Sequence, residues 1–156
     1  MVQPAIQQTG PGAVPAAIRV RNPRTGREDH EFTPPTEAEL AARCHELRRA
    51  QLAWQAAGVE ARCAAMRRLA DALEANREAL VPPLSVDTAR TAVAAGEVAS
   101  VVRNIRRWCE RAPALMVTDE FDSKLMPTLR IAQQLVPYPL VGVISPWNFP
   151  FALSFI

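Results

Sequence analysis

A chain of 156 residues, 49% hydrophobic and 22% charged, has the length and composition of one soluble globular domain with a core of its own. Its net charge of +2 and pI near 8.7 reflect a slight arginine excess, too small to mark a nucleic-acid-binding surface. No apolar run reaches membrane-spanning length, and the N-terminus lacks a basic stretch followed by an apolar core, so the expected setting is cytoplasmic with no membrane partner.

Residues 1–17 mix Gln, Gly, Pro and Ala without periodicity and read as a mobile lead-in. Ile18-Arg19-Val20 alternates like a strand, and Glu28 to Phe32 is placed to return as its hairpin partner. Asn22-Pro23-Arg24-Thr25-Gly26 between them has turn chemistry, with Pro presetting φ and Gly free to take a positive φ. Thr36 and Glu39 have capping-box spacing. The helix they open puts Leu40, Cys44, Leu47 and Trp54 near one face and ends at Ala56-Ala57-Gly58. A second helix, about Glu60 to Glu74, aligns Cys63, Met66, Ala70 and Leu73. Asn76 is placed to cap a short third helix, which Pro82-Pro83 should break. A longer helix, about Ala92 to Ala112, carries Val98, Val101, Val102, Ile105, Trp108 and Cys109 as a wide apolar stripe, and Pro113 should stop it. Thr118 to Lys124 reads as a loop and Thr128 to Val136 as a strand.

The three cysteines, Cys44, Cys63 and Cys109, have neither CxxC spacing nor a His at ligand spacing, and each falls on a helical apolar face. They read as reduced packing residues, and no metal site is expected. The pairs Arg48-Arg49, Arg67-Arg68 and Arg106-Arg107 read as solvated helix faces, and His30 and His45 as surface or structural residues.

The most informative stretch is Leu140 to Pro150. Leu140-Val141-Gly142-Val143-Ile144 suits a strand buried on both faces of a parallel sheet. Ser145-Pro146 ends it, because Pro146 has no N–H for a ladder. Trp147 and Asn148 then stand at the carboxyl edge, where open α/β sheets bind ligands, and Pro150 is suited to the first position of a following helix. Asn148 offers a neutral amide donor whose state does not change with pH. The plainer alternative is a proline-bracketed turn with a core Trp and a capping Asn.

Val143-Ile144-Ser145-Pro146-Trp147-Asn148-Phe149-Pro150 resembles the Pro-Trp-Asn-Phe-Pro segment of the NAD(P)-dependent aldehyde dehydrogenase superfamily, and Asn22-Pro23-Arg24-Thr25-Gly26 is similar to a turn common near the start of such chains. The resemblance implies an α/β fold: the amino-terminal helical layer and first strand of a Rossmann-type cofactor domain, incomplete within these residues. It divides the chain into residues 18–123 as hairpin and helices, 124–138 as an oligomerisation-arm strand, and 139–156 as the start of the cofactor-binding sheet. It makes Asn148 a catalytic oxyanion donor, and places Ile144, Ser145, Pro146 and Trp147 at the site of NAD or NADP. A small aldehyde substrate and a homo-oligomer follow from it, with no nucleic-acid partner. The family's Thr-Gly-Lys-Pro-like turn is replaced here by Asp87-Thr88-Ala89-Arg90. The family's nucleophilic Cys and general-base Glu belong to later regions, so these residues read as a truncated chain, inactive alone. The rival reading is a non-enzymatic interaction or oligomerisation protein derived from the family; a weaker third is a free-standing helical binding module.

Overall fold

The computed structural model describes residues 15–155, and the lead-in expected before Ile18 lies mostly outside the described residues. Strands β1 (Ile18–Arg21) and β2 (Glu28–Phe32) form an antiparallel hairpin. Asn22 builds the turn between them. Its side-chain oxygen accepts from the Arg24 and Thr25 amides at 2.9 and 3.3 Å, while its amide donates to Asp29 at 2.8 Å. Gly26 takes φ +74°, a conformation that a Cβ would strain.

Helix α1 (Glu37–Ala56) starts at the expected capping box: the Glu39 amide donates to Thr36 Oγ1 at 3.2 Å, and the Thr36 amide donates to the Glu39 carboxylate at 2.8 Å. The Thr36 amide, and after it the Thr36 hydroxyl donating to the same carboxylate at 2.9 Å, hold the Glu39 carboxyl below its ordinary value. The apolar stripe of α1 does not reach a core. Leu40, Leu47 and Trp54 are exposed, and Cys44 is only half-buried, contrary to the buried position its spacing implies. Helical periodicity shows that a face exists, but not that another element covers it.

Gly58, at φ +79°, turns the chain into α2 (Gly58–Ala75), which packs along α4 (Thr91–Leu115). The core lies between them: Cys63 and Ala70 from α2, with Val101, Val102, Ile105 and Cys109 from α4, and Ala152 closing one end. Trp108, expected in this stripe, lies at its margin, nearly half exposed, with the Arg111 guanidinium 5.4 Å from its ring centroid. Arg106 ties the two helices at the surface through Asp71 and Glu74, at 2.8 and 2.7 Å.

Three prolines depart from expectation. Helix α3 (Arg77–Thr88) runs through Pro82 and Pro83 without breaking. The carbonyls they leave without a helical donor belong to Glu78 and Ala79, in an exposed turn where water can serve them. Likewise α4 continues through Pro113 to Leu115. There the carbonyl deprived of its donor is that of Cys109, which instead accepts from the Arg67 guanidinium at 3.2 Å. Asn76 occupies the α2–α3 junction, but its side chain donates back to the Ala72 carbonyl at 2.8 Å and does not cap α3.

After α4, the segment expected to be a loop contains β3 (Asp119–Asp122), paired antiparallel with β4 (Arg130–Gln133), a shorter strand than the sequence implies. Phe121 faces Ile131 across the pair, an apolar match between otherwise polar strands. The strand expected at Leu140–Ile144 is not formed: residues 140–144 have no ladder partner among the described residues. A strand needs hydrogen-bonded neighbours and a doubly buried one needs covered faces, and neither is available to this stretch. Val141, Val143 and Ile144 are accordingly exposed.

Candidate functional site

The segment from Ser145 to Phe155 folds back along α4. Residues 147–151 form successive turns leading into a short 3-10 helix, Ala152–Ser154, so Pro150 precedes the helical residues by two positions and does not open a long helix. The turn is tightened from within: the Leu153 amide donates to the Phe149 carbonyl at 3.2 Å, and Ser154 Oγ to the Pro150 carbonyl at 2.7 Å. Ser145 and Ser154 join their hydroxyls across its open end.

Two residues of the α3–α4 region anchor the turn from outside. Thr88 is buried and bonds through its hydroxyl to the Leu84 carbonyl at 2.7 Å. Ala89 then adopts a left-handed conformation, φ 55° and ψ 17°, which ends α3 and redirects the chain. Gly holds such a position without strain and Ala does not, so the left-handed turn is kept at some conformational cost. Arg90 follows. Its Nη1 donates to the Asn148 carbonyl at 2.7 Å, and its guanidinium carbon lies 4.0 Å from the centroid of the Phe149 ring. Two turns further along α4, Glu97 is 4% exposed, and its Oε1 accepts from both the Phe151 and Ala152 amides at 2.9 Å. A buried carboxylate without donors would be costly, and these two backbone N–H groups satisfy it. Phe151 and Phe155 complete the seat, edge to face at 5.5 Å, against the helical core.

Asn148 is half-buried, and the bonds that secure the turn use its carbonyl and not its side-chain amide. Ser145 is half-buried, whereas Ile144, Pro146 and Trp147 are exposed, Ile144 at 99% and Trp147 at 79%. Trp147 is thus neither a core residue nor a staple of the turn, against the plainer alternative. Of the four residues assigned to cofactor contact, Ile144, Pro146 and Trp147 are exposed apolar groups next to Asn148 in the chain, while the Ser145 hydroxyl is taken up by Ser154. These residues include no guanidinium or glycine-rich turn of the kind that holds phosphates.

The role of Arg90 and Glu97 in holding this turn was not foreseen from the sequence. A signal was there for Glu97: it falls at i+3 from Ala94 and i−4 from Val101, inside the apolar stripe, where a carboxylate needs a dedicated partner. Arg90 was visible only as the last residue of the Asp87–Arg90 stretch that replaces the family's turn; its partners, 58 positions away in sequence, were not.

The thiols take no part in this arrangement. Cys63 and Cys109 are buried together, with Cys109 Sγ donating to the Cys63 carbonyl at 3.5 Å, and burial pushes the Cys109 thiol pKa up. Among the described residues, no group of three or more His, Cys, Asp or Glu side chains could hold a metal ion, and no helix is long and apolar enough to cross a membrane.

The profile of the "Aldehyde dehydrogenase family" matches residues 12–156, and the chain belongs to that family. The protein named "Putative succinate-semialdehyde dehydrogenase [NADP(+)]" of Mycolicibacterium smegmatis is 32% identical over 131 residues, covering 83% of this chain and 25% of that protein. Among solved structures, "Putative Aldehyde Dehydrogenase PutA" from Anabaena variabilis superposes with a TM-score of 0.85 at 45% identity, over 89% of this chain and 30% of its own. An NAD-dependent benzaldehyde dehydrogenase from Corynebacterium glutamicum gives a TM-score of 0.82 at 26% identity, over 92% of this chain and 31% of its own. The fold of helical layer and small sheets therefore matches part of the aldehyde dehydrogenase fold, and the chain spans 25% of the length of the first of these relatives.

Proposed function

We propose that this chain supplies the oxyanion donor and one wall of the cofactor site of an aldehyde dehydrogenase that oxidises a small aldehyde to a carboxylic acid. The observation that carries the reading is Asn148: its turn is held by Arg90 and Glu97 through backbone groups, which leaves the side-chain amide available for a ligand. When a thiolate adds to an aldehyde, negative charge gathers on the former carbonyl oxygen, and a fixed neutral N–H donor stabilises that charge more than it stabilises the substrate. Asn148 is suited to that role because it brings no charge of its own to repel the oxyanion. Ile144, Pro146 and Trp147 are exposed beside Asn148 in the chain and offer apolar surface against which NAD or NADP would pack; the nicotinamide, when bound, accepts the hydride.

The nucleophile is not among these residues' own thiols. Cys63 and Cys109 are enclosed in the helical core, and Cys44 is half-buried on α1. A polypeptide of these 156 residues alone is therefore expected to show no NAD(P)-dependent aldehyde oxidation. The proposal includes a cytoplasmic setting and a homo-oligomer, with residues 124–138 as the arm that reaches a neighbouring subunit; the exposure of Leu125, Leu135, Val136 and Tyr138 supports such an arm. The same exposure favours the second reading, a non-enzymatic interaction protein derived from this family.

The test is Asn148→Ala in the complete dehydrogenase containing this chain. Loss of one oxyanion donor should lower kcat by about 10²–10³, with cofactor affinity and fold retained. Normal turnover in that variant would exclude Asn148 as the oxyanion donor.

A further inference from the structure

We infer that Arg90 and Glu97 are the positioning residues of Asn148, an inference that rests on the reading of Asn148 as the oxyanion donor. The two side chains grip the Asn148 turn at both ends. Arg90 holds the carbonyl of Asn148 itself, at 2.7 Å, while Glu97 holds the amides of Phe151 and Ala152, both at 2.9 Å. Between these points the Phe149 ring lies under the guanidinium, 4.0 Å from its centre, so the backbone on either side of the Asn148 side chain is fixed.

Three features make this a positioning device in addition to ordinary packing. Glu97 is a buried carboxylate whose hydrogen bonds are both spent on the turn. Burial of a carboxylate is expensive, and a Leu or Val there would extend the apolar stripe of α4 without that cost. Arg90 performs two tasks at once, donation and stacking, which the planar guanidinium can combine and an ammonium cannot. Both anchors act on main-chain atoms, so they fix the direction of the Asn148 side chain without occupying its amide. An oxyanion donor works through preorganisation, and a misplacement of about 1 Å costs roughly 100-fold in rate.

The experiment is a pair of double-mutant cycles in the complete dehydrogenase containing this chain. Arg90→Met and Glu97→Ala should each lower kcat by roughly 10- to 100-fold while the KM for aldehyde moves little. In an Asn148→Ala background the same changes should cost less than about twofold, because the group they orient is gone. Glu97→Gln keeps an oxygen acceptor for both amides and should restore most of the turnover, and Arg90→Lys should recover less, lacking the planar stack. Hydrogen exchange at the Phe151 and Ala152 amides should be slow in the parent and in Glu97→Gln, and fast in Glu97→Ala. If Glu97→Ala does not fold, Glu97→Gln and the half-buried Arg90 variants carry the test. Equal losses with and without Asn148 would overturn the inference and leave Asn148 as donor, as would full kcat alongside fast-exchanging amides. Normal turnover of Asn148→Ala alone would remove the oxyanion reading and the inference with it.

Discussion

At the scale of single residues, burial and hydrogen bonding separate the groups that pack from those available for chemistry. Cys109 is enclosed between α2 and α4, and its thiol ionises less readily than a free one because burial disfavours the thiolate. A raised pKa means less thiolate at neutral pH, the opposite of what a nucleophile needs. Replacing Cys44 with Ser, Cys63 with Ala and Cys109 with Ala in the complete enzyme should therefore leave turnover within a few-fold. The two buried changes should lower stability by roughly 1–2 kcal/mol each through lost packing. Steady-state kinetics with a parallel melt checks this, and abolished activity in a still-folded Cys109→Ala enzyme would refute it. The sequence conveyed the packing role of Cys63 and Cys109 through helical spacing. It misjudged Cys44, because spacing does not report whether α1 has a covering neighbour.

At the scale of elements, the helices were legible and the strands were less so. Capping at Thr36 and Glu39, the turn at Gly58 and the stripe of α4 are local features, set by residues a few positions apart, and the structure has them where the sequence implies. The prolines were misread because the cost of Pro in a helix depends on what becomes of the freed carbonyl, and that is decided by partners distant in sequence. At Pro113 the partner is Arg67. This yields a measurable coupling. Arg67→Ala should destabilise the chain by roughly 1–2 kcal/mol, since the Cys109 carbonyl loses its donor. In a Pro113→Ala background, where residue 113 regains an N–H for that carbonyl, the same change should cost markedly less. Denaturant melts of the four proteins measure the interaction directly, and additive costs would show that Arg67 does not stand in for the missing helical bond. The β3–β4 pair was half-missed for a related reason: Asp119 to Asp122 is acidic apart from Phe121 and has no alternation of its own, and only pairing with Arg130 to Gln133 makes it a strand.

At the scale of the molecule, the same stretch that identifies the family is the one most poorly provided for. Val141, Val143, Ile144 and Trp147 lie in water, as do Leu125 and Tyr138, while the core between α2 and α4 is narrow and filled mainly by Cys, Ala, Val and Ile. The apolar run at Leu140–Ile144, expected as a buried strand, is neither a strand nor buried in the structure, because its burial requires neighbours that these residues do not supply to one another. At about 25 cal/mol per Å² of apolar surface, a few such side chains left in water forfeit several kcal/mol, comparable with the stability of a whole domain. A polypeptide of these 156 residues should therefore show helical circular dichroism from α1–α4, bind a hydrophobic dye, melt without strong cooperativity and associate as its concentration rises. The association should come from the exposed run and not from the helices. Val141→Lys with Ile144→Lys should then suppress it while leaving the helical signal unchanged, since neither side chain contributes to the core. Sedimentation velocity across a concentration series distinguishes the outcomes. A parent chain that stays monomeric and melts in one sharp transition would mean that it completes its own core, and would shift the balance toward an independent binding module.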